Sequence, residues 1–137
     1  MDGNVLGQLN YFAIVAASVA AFVIGGVWYS PALFAKAWQQ ETGLSDQQLA
    51  QRNPAAVFGV SFVLTLVASF VFALFLGPRP AFGPALFAGI AAGAAWVATS
   101  FGINYLFEAK SLRLFLINAG YHVAQFTAMG AILGLWH

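Results

Sequence analysis

The stretch Leu112-Arg113-Leu114-Phe115-Leu116-Ile117-Asn118-Ala119-Gly120-Tyr121-His122-Val123-Ala124-Gln125-Phe126 governs how the rest of the chain is read. Its length and apolar content mark a membrane-spanning helix, yet it carries Asn118, Tyr121, His122 and Gln125. Asn118, His122 and Gln125 are spaced i, i+4, i+7, so they share one helix face. Polar side chains at that depth have no water to satisfy them, so they need partners inside the protein or in a cavity. The packing of the bundle, and any functional site, is therefore expected to centre on this face.

Composition agrees with a membrane location. Of 137 residues, 61% are hydrophobic and 7% charged, and the mean hydropathy is +0.83. Soluble domains average about 25% charged residues, so this chain lacks the charge to solvate a globule in water. Apolar runs of about 20 residues identify a polytopic membrane protein, and the length suits one bundle spanning residues 1–137. There is no cysteine, which excludes disulfides and thiol chemistry. A net charge of +1 with no basic patch excludes a nucleic-acid partner. Met1-Asp2-Gly3-Asn4 lacks the basic region that opens a secretory signal peptide, so the first apolar segment is expected to be retained.

Four spans are expected, at about 9–29, 54–76, 84–107 and 112–136. Trp28 and Tyr29 at the end of the first suit the aromatic belt of a membrane interface. Ser30 as N-cap and Pro31 at N1 predict a surface helix over about 31–40. On it Leu33, Phe34, Ala37 and Trp38 gather on one side while Lys36 reaches toward head groups, and Gly43 ends it. Ser45-Asp46-Gln47-Gln48 has capping-box spacing for a further short helix, and Asn53-Pro54 caps and opens the second span. Ser61, Thr65 and Ser69 on that span are expected to bond back to their own helix carbonyls.

On the third span one face carries Gly89, Gly93, Trp96, Ser100 and Asn104. Gly89 with Gly93, and Gly130 with Gly134 on the last helix, are small-xxx-small pairs that let backbones approach. Only 108–111 joins the third and fourth spans, which forces an antiparallel hairpin. Matched depths predict Asn104 near Asn118, Ser100 near His122, Trp96 near Gln125 and Gly93 near Met129. Glu108 is expected to pair with Lys110 or Arg113.

Lys36, Arg52, Lys110 and Arg113 fall in loops 30–53 and 108–111, against Arg79 alone on the other side. The positive-inside rule puts both loops in the cytoplasm and both termini outside.

At Trp28-Tyr29-Ser30-Pro31-x-Leu33-Phe34-x-Lys36-x-Trp38, and again at Ile117-Asn118-Ala119-Gly120-Tyr121-His122, the chain resembles a bacterial membrane family known only as domain of unknown function 1761 (DUF1761). The resemblance extends over nearly the whole chain. It implies a four-helix protein of the bacterial cytoplasmic (inner) membrane and no particular activity. The chain departs from the family pattern at Ala35, where Gly is frequent.

His122 is the only ionisable side chain well inside a span. An imidazole with the ordinary pKa of about 6.5 can change charge near neutrality, and an intramembrane ionisable group suggests function. The leading reading is therefore a binding or transport module, with a ligand-binding or proton-linked site of His122, Asn118, Tyr121, Gln125, Asn104 and Ser100, roofed by Tyr29 and Lys36. A small polar molecule, an ion or a lipid head group would enter it from the cytoplasm. The other reading is a neutral imidazole that hydrogen-bonds neighbouring helices in a non-catalytic structural or accessory protein. No metal, haem or other cofactor is expected, because no second His lies at the depth of His122 and there is no Cys. No catalytic residues are expected, because the Ser and Thr residues have no carboxylate beside them in the spans. The first span lacks the embedded acidic residue on which small four-helix drug exporters depend. The expected partners are the lipid bilayer and, through the Gly-rich faces, a second copy of the chain. A transport or binding site would line a cavity open to one side, whereas a packing cluster would be mutually bonded and dry.

Overall fold

The computed structural model describes residues 4–137; Met1, Asp2 and Gly3, on which the retained-helix expectation partly rests, lie outside them. Among the described residues every regular element is helical. A short α1 (Val5–Gln8) leads to α2 (Tyr11–Trp28), whose first turn is capped by the Asn10 side chain accepting from Ala13 N at 3.0 Å. Then come α3 (Ala35–Thr42), α4 (Asp46–Ala50) and α5 (Pro54–Leu76). Next, α6 (Phe82–Ala91) passes through a π-helical segment, Ala92–Ala98, into α7 (Thr99–Phe107), forming one continuous rod. Finally α8 (Leu112–Leu135) starts from Ser111, whose Oγ accepts from Leu114 N at 3.0 Å.

The local signals act where they stand in the sequence. Ser45 Oγ accepts from Gln48 N at 3.1 Å and Gln48 Oε1 accepts from Ser45 N at 2.8 Å, closing the capping box of α4. Asn53 Oδ1 accepts from Ala55 N and Ala56 N, and Pro54 opens α5. Gly43 ends α3 in the left-handed region, at φ +74°. The start of α3 differs from expectation. Ser30 Oγ donates back to Val27 O at 2.7 Å instead of capping forward, so 31–34 form turns and the helix begins at Ala35.

Among the described residues three helices are long and apolar enough to cross a membrane: Tyr11–Trp28, Pro54–Leu76 and Phe82–Phe107. Of the four expected spans, α8 is the one not among them. At 24 residues α8 has the length, but Arg113, Asn118, His122 and Gln125 make it too polar to qualify. Its position explains the composition. It packs against α2 on one side and the α6–π–α7 rod on the other, and α3 lies against it. It buries eight residues, more than any other helix here, so much of its surface meets protein.

The packing inverts the size order of a soluble core. Ala13, Ala17 and Ala21, spaced four apart on α2, are fully buried, with Ala73, Ala92 and Met129 in the same cluster. Phe12, Phe87, Leu106 and Phe107 point outward. Lipid tails are as apolar as Leu, so helices in them associate by close backbone approach and not by hiding large side chains. Gly89, Gly93 and Gly130 show that approach. A Cβ on Gly89 would run into the Phe126 carbonyl, one on Gly130 into the Ala85 carbonyl, and one on Gly93 would lie 2.7 Å from Val123 Cα. The glycine pairs are thus used inside one chain.

Those contacts also set the hairpin register. Gly93 faces Val123 where the matched-depth expectation puts Met129, a displacement of six residues, or about 9 Å at 1.5 Å per residue. Ser100 and Asn104 are exposed, and Ser100 Oγ bonds its own helix at Trp96 O. The displacement is already present at Gly102 on Phe115, so the π-helical segment accounts only for the outward turn of Ser100 and Asn104. That segment takes up one surplus residue, which advances the helix phase by one position. The face that begins with Gly89 and Gly93 therefore continues through Phe101 and Tyr105 instead of Ser100 and Asn104.

Two further expectations are corrected. Thr65 Oγ1 does bond back to Ser61 O at 2.8 Å, but Ser69 Oγ crosses to Ile14 O on α2 at 3.0 Å. Ser18 Oγ bonds the same carbonyl, and both serines are fully buried. Arg113 pairs with Glu41 of α3 at 3.6 Å, not with Glu108.

Candidate functional site

The polar residues of α8 meet the end of α2 and the inner face of α7. Trp28 Nε1, at the last residue of α2, donates to Ile117 O at 2.8 Å. Gly120 makes room for that indole, whose Cζ2 would lie 3.0 Å from a Cβ there. The chain turns after Trp28, and Tyr29 OH donates to Asn118 Oδ1 at 2.6 Å. Asn118 Nδ2 donates to Tyr105 OH at 2.7 Å, so one carboxamide ties three helical segments together.

One turn deeper lies a second set. The Tyr121 hydroxyl reaches Ala21 O and Gln125 Oε1, each at 3.2 Å. Gln125, itself buried, places Nε2 2.6 Å from His122 Nδ1. An amide NH2 can only donate, so in this arrangement Nδ1 accepts and a neutral His122 carries its proton on Nε2. Aromatic rings close the sides. The His122 ring stacks on Phe101 at a centroid distance of 5.0 Å, and Tyr121 lies at 5.0 Å from His122 and 5.6 Å from Tyr29. Trp38 of α3 meets the Tyr29 ring edge-on at 6.2 Å. Gly25 gives Tyr121 its space, with the phenol oxygen 3.1 Å from where a Cβ would sit.

Of the residues singled out in the sequence, His122, Asn118, Tyr121 and Gln125 come together here, with Tyr29 and Trp28 at the rim. Ser100 and Asn104 do not, and Lys36 is exposed on α3. Tyr105 and Phe101 are members that sequence reasoning missed. Their only sequence signal is a spacing of four beside the chosen face, which becomes meaningful once the surplus residue of 92–98 is known.

The buried part of the cluster is fully paired. Among the described residues no buried side-chain nitrogen or oxygen lacks a hydrogen-bond partner. Two small open hollows among the described residues lie elsewhere. One, of about 10 Å³, is lined by Leu9, Asn10, Gly77, Pro80, Leu133 and His137 among others; one of about 50 Å³ is lined by Leu49, Arg52, Pro54, Val57 and Phe58. Among the described residues no three His, Cys, Asp or Glu side chains come together to hold a metal ion.

No curated protein and no solved structure matches the chain. The two motifs behind the cluster, around Trp28-Tyr29 and Asn118-Ala119-Gly120-Tyr121-His122, nevertheless lie within a single family model, and its match covers residues 12–134. The chain belongs to the family described as "Protein of unknown function (DUF1761)".

Proposed function

We propose that this is a non-catalytic structural or accessory protein of the membrane, in which the α8 cluster locks three helical segments and the surface helix together. One observation carries the reading: Tyr29, Asn118, Tyr105, Tyr121, Gln125 and His122 bond one another and the backbone in one connected network that crosses between helical segments. Side chains built to receive a ligand would keep groups free toward a cavity.

The reading includes α8 as a fourth span. It runs beside the α6–π–α7 rod from Phe115 at Gly102 to Gly134 at Phe82, so a rod that crosses the bilayer takes α8 with it. It also includes α3 as a surface helix, with Trp38 turned to Tyr29 and Lys36 toward head groups. The bilayer is a bacterial cytoplasmic membrane.

A second reading, binding or transport of a small polar molecule, ion or lipid head group, rests on His122 Nε2. That atom has no hydrogen-bond partner among the described residues, and the ring is only partly buried.

Native mass spectrometry of the purified protein beside His122→Ala separates the two. The lock predicts no retained non-lipid mass in either protein and a less heat-stable variant, by roughly 1 kcal/mol for one interhelical hydrogen-bond set. A non-lipid mass present in the wild type and absent from the variant would replace the lock by the binding reading.

A further inference from the structure

At the junction of α4 and α5, Arg52 stands beside the hollow of about 50 Å³ lined by Leu49, Pro54, Val57 and Phe58. Its Nε donates to Leu49 O at 3.3 Å, which anchors the guanidinium and leaves both terminal nitrogens without a partner. Among the described residues the one ion pair is Arg113 with Glu41, so Arg52 has no carboxylate. Arg52 lies two residues before Pro54, where the second candidate span begins; an α5 that crosses the bilayer from that point puts Arg52 at head-group level. The remaining walls are apolar and lead down α5, which buries no residue before Ser69. Phe58 is 58% exposed, with its ring held edge-on against Phe22 of α2 at 6.4 Å. A planar guanidinium with two free donors matches a phosphate in bidentate fashion.

We propose that Arg52 and this hollow hold one anionic phospholipid, with the phosphate on the guanidinium and the upper part of an acyl chain against Val57 and Phe58. Charge complementarity selects the anion. The apolar walls, continuous with the exposed face of α5, select a lipid over free phosphate. Lys36 and Lys110 lie at the same end of the bundle, but Glu41, Asp46 and Glu108 offset most of the basic charge there and Arg113 pairs with Glu41, which leaves the selection to Arg52.

The test uses full-length protein in mixed micelles, titrated with phosphatidylglycerol, with phosphatidylcholine or with inorganic phosphate, and read by native mass spectrometry. Arg52→Gln is compared with wild type and with Lys110→Gln; a melting curve of each checks the fold, and Arg52 is exposed. The expected result is one phosphatidylglycerol bound about fivefold more tightly than phosphatidylcholine, the preference lost in Arg52→Gln and kept in Lys110→Gln. Equal retention of the two lipids by the wild type would overturn the site. So would an unchanged preference in Arg52→Gln, or displacement of the lipid by inorganic phosphate. The outcome is independent of whether the α8 cluster is a lock.

Discussion

Gly89 has no room for a methyl group, because its neighbour is the Phe126 carbonyl oxygen and not a side chain that could turn away. Gly89→Ala should therefore push α6 from α8 and lower stability by about 1–3 kcal/mol, the usual cost of overpacking. Gly59 is the matched control, since it is also inside a helix and nothing lies within 4 Å of a Cβ there, so Gly59→Ala should raise stability, by about 0.4–1 kcal/mol. Melting curves in detergent compare the two; equal effects would mean that the α6–α8 contact is not the one described. The turn after α7 holds the opposite case. Lys110 N bonds Tyr105 O at 2.9 Å across Ala109, whose φ of +56° is the left-handed geometry that glycine favours at a helix end. Ala109→Gly should raise stability by roughly 0.5–1 kcal/mol, because a Cβ is strained there. A loss of stability on the same melting curve would show that the freed backbone entropy of the unfolded chain outweighs that strain.

Among the elements, the π-helical segment decides which residues reach the cluster. It behaves as a regular helix with one residue too many, so removing one residue should leave the faces on either side in place. Ala94 is exposed within it. Deleting Ala94 should yield a folded protein with Phe101 still on His122, whereas deleting Ile103 in the regular α7 should rotate Tyr105 by about 100° off Asn118. The chain has no cysteine, so oxidative cross-linking of Phe101→Cys with His122→Cys reads the first case directly. Loss of that cross-link in the Ala94 deletion would refute the surplus-residue account. The same segment marks what the sequence could convey. Asn53-Pro54, the Ser45–Gln48 box and Gly43 were legible because each acts on backbone within four residues. The Asn118, Tyr121, His122 and Gln125 face was legible because α8 is regular throughout. Tyr105 and Phe101 were not, since no motif in Ala92–Ala98 announces the extra residue. Nor was the Ser69 bond to Ile14, whose partner lies 55 residues away.

Across the whole molecule, the helix ends sort into two groups. The 10 Å³ hollow gathers Leu9, Asn10, Gly77, Pro80, Leu133 and His137, so the start of α2, the turn before α6 and the end of α8 share one end. Tyr29 on Asn118, and Arg113 on Glu41, bring the end of α2, α3 and the start of α8 together at the other. Lys36, Arg52, Lys110 and Arg113 belong to that second end and Arg79 to the first. Basic residues near span ends resist translocation, so this fourfold excess predicts the α3–α4 end in the cytoplasm and both termini outside. Single cysteines test it without background labelling, because the native chain has none. Gln47→Cys, exposed on α4, should react with a membrane-impermeant maleimide only after cells are opened, whereas His137→Cys should react in intact cells. The reverse pattern would turn the bundle over and put Arg79 inside. Reaction of both sites in intact cells would place the two ends on one side, which a rod and an antiparallel α8 that both cross the bilayer do not permit.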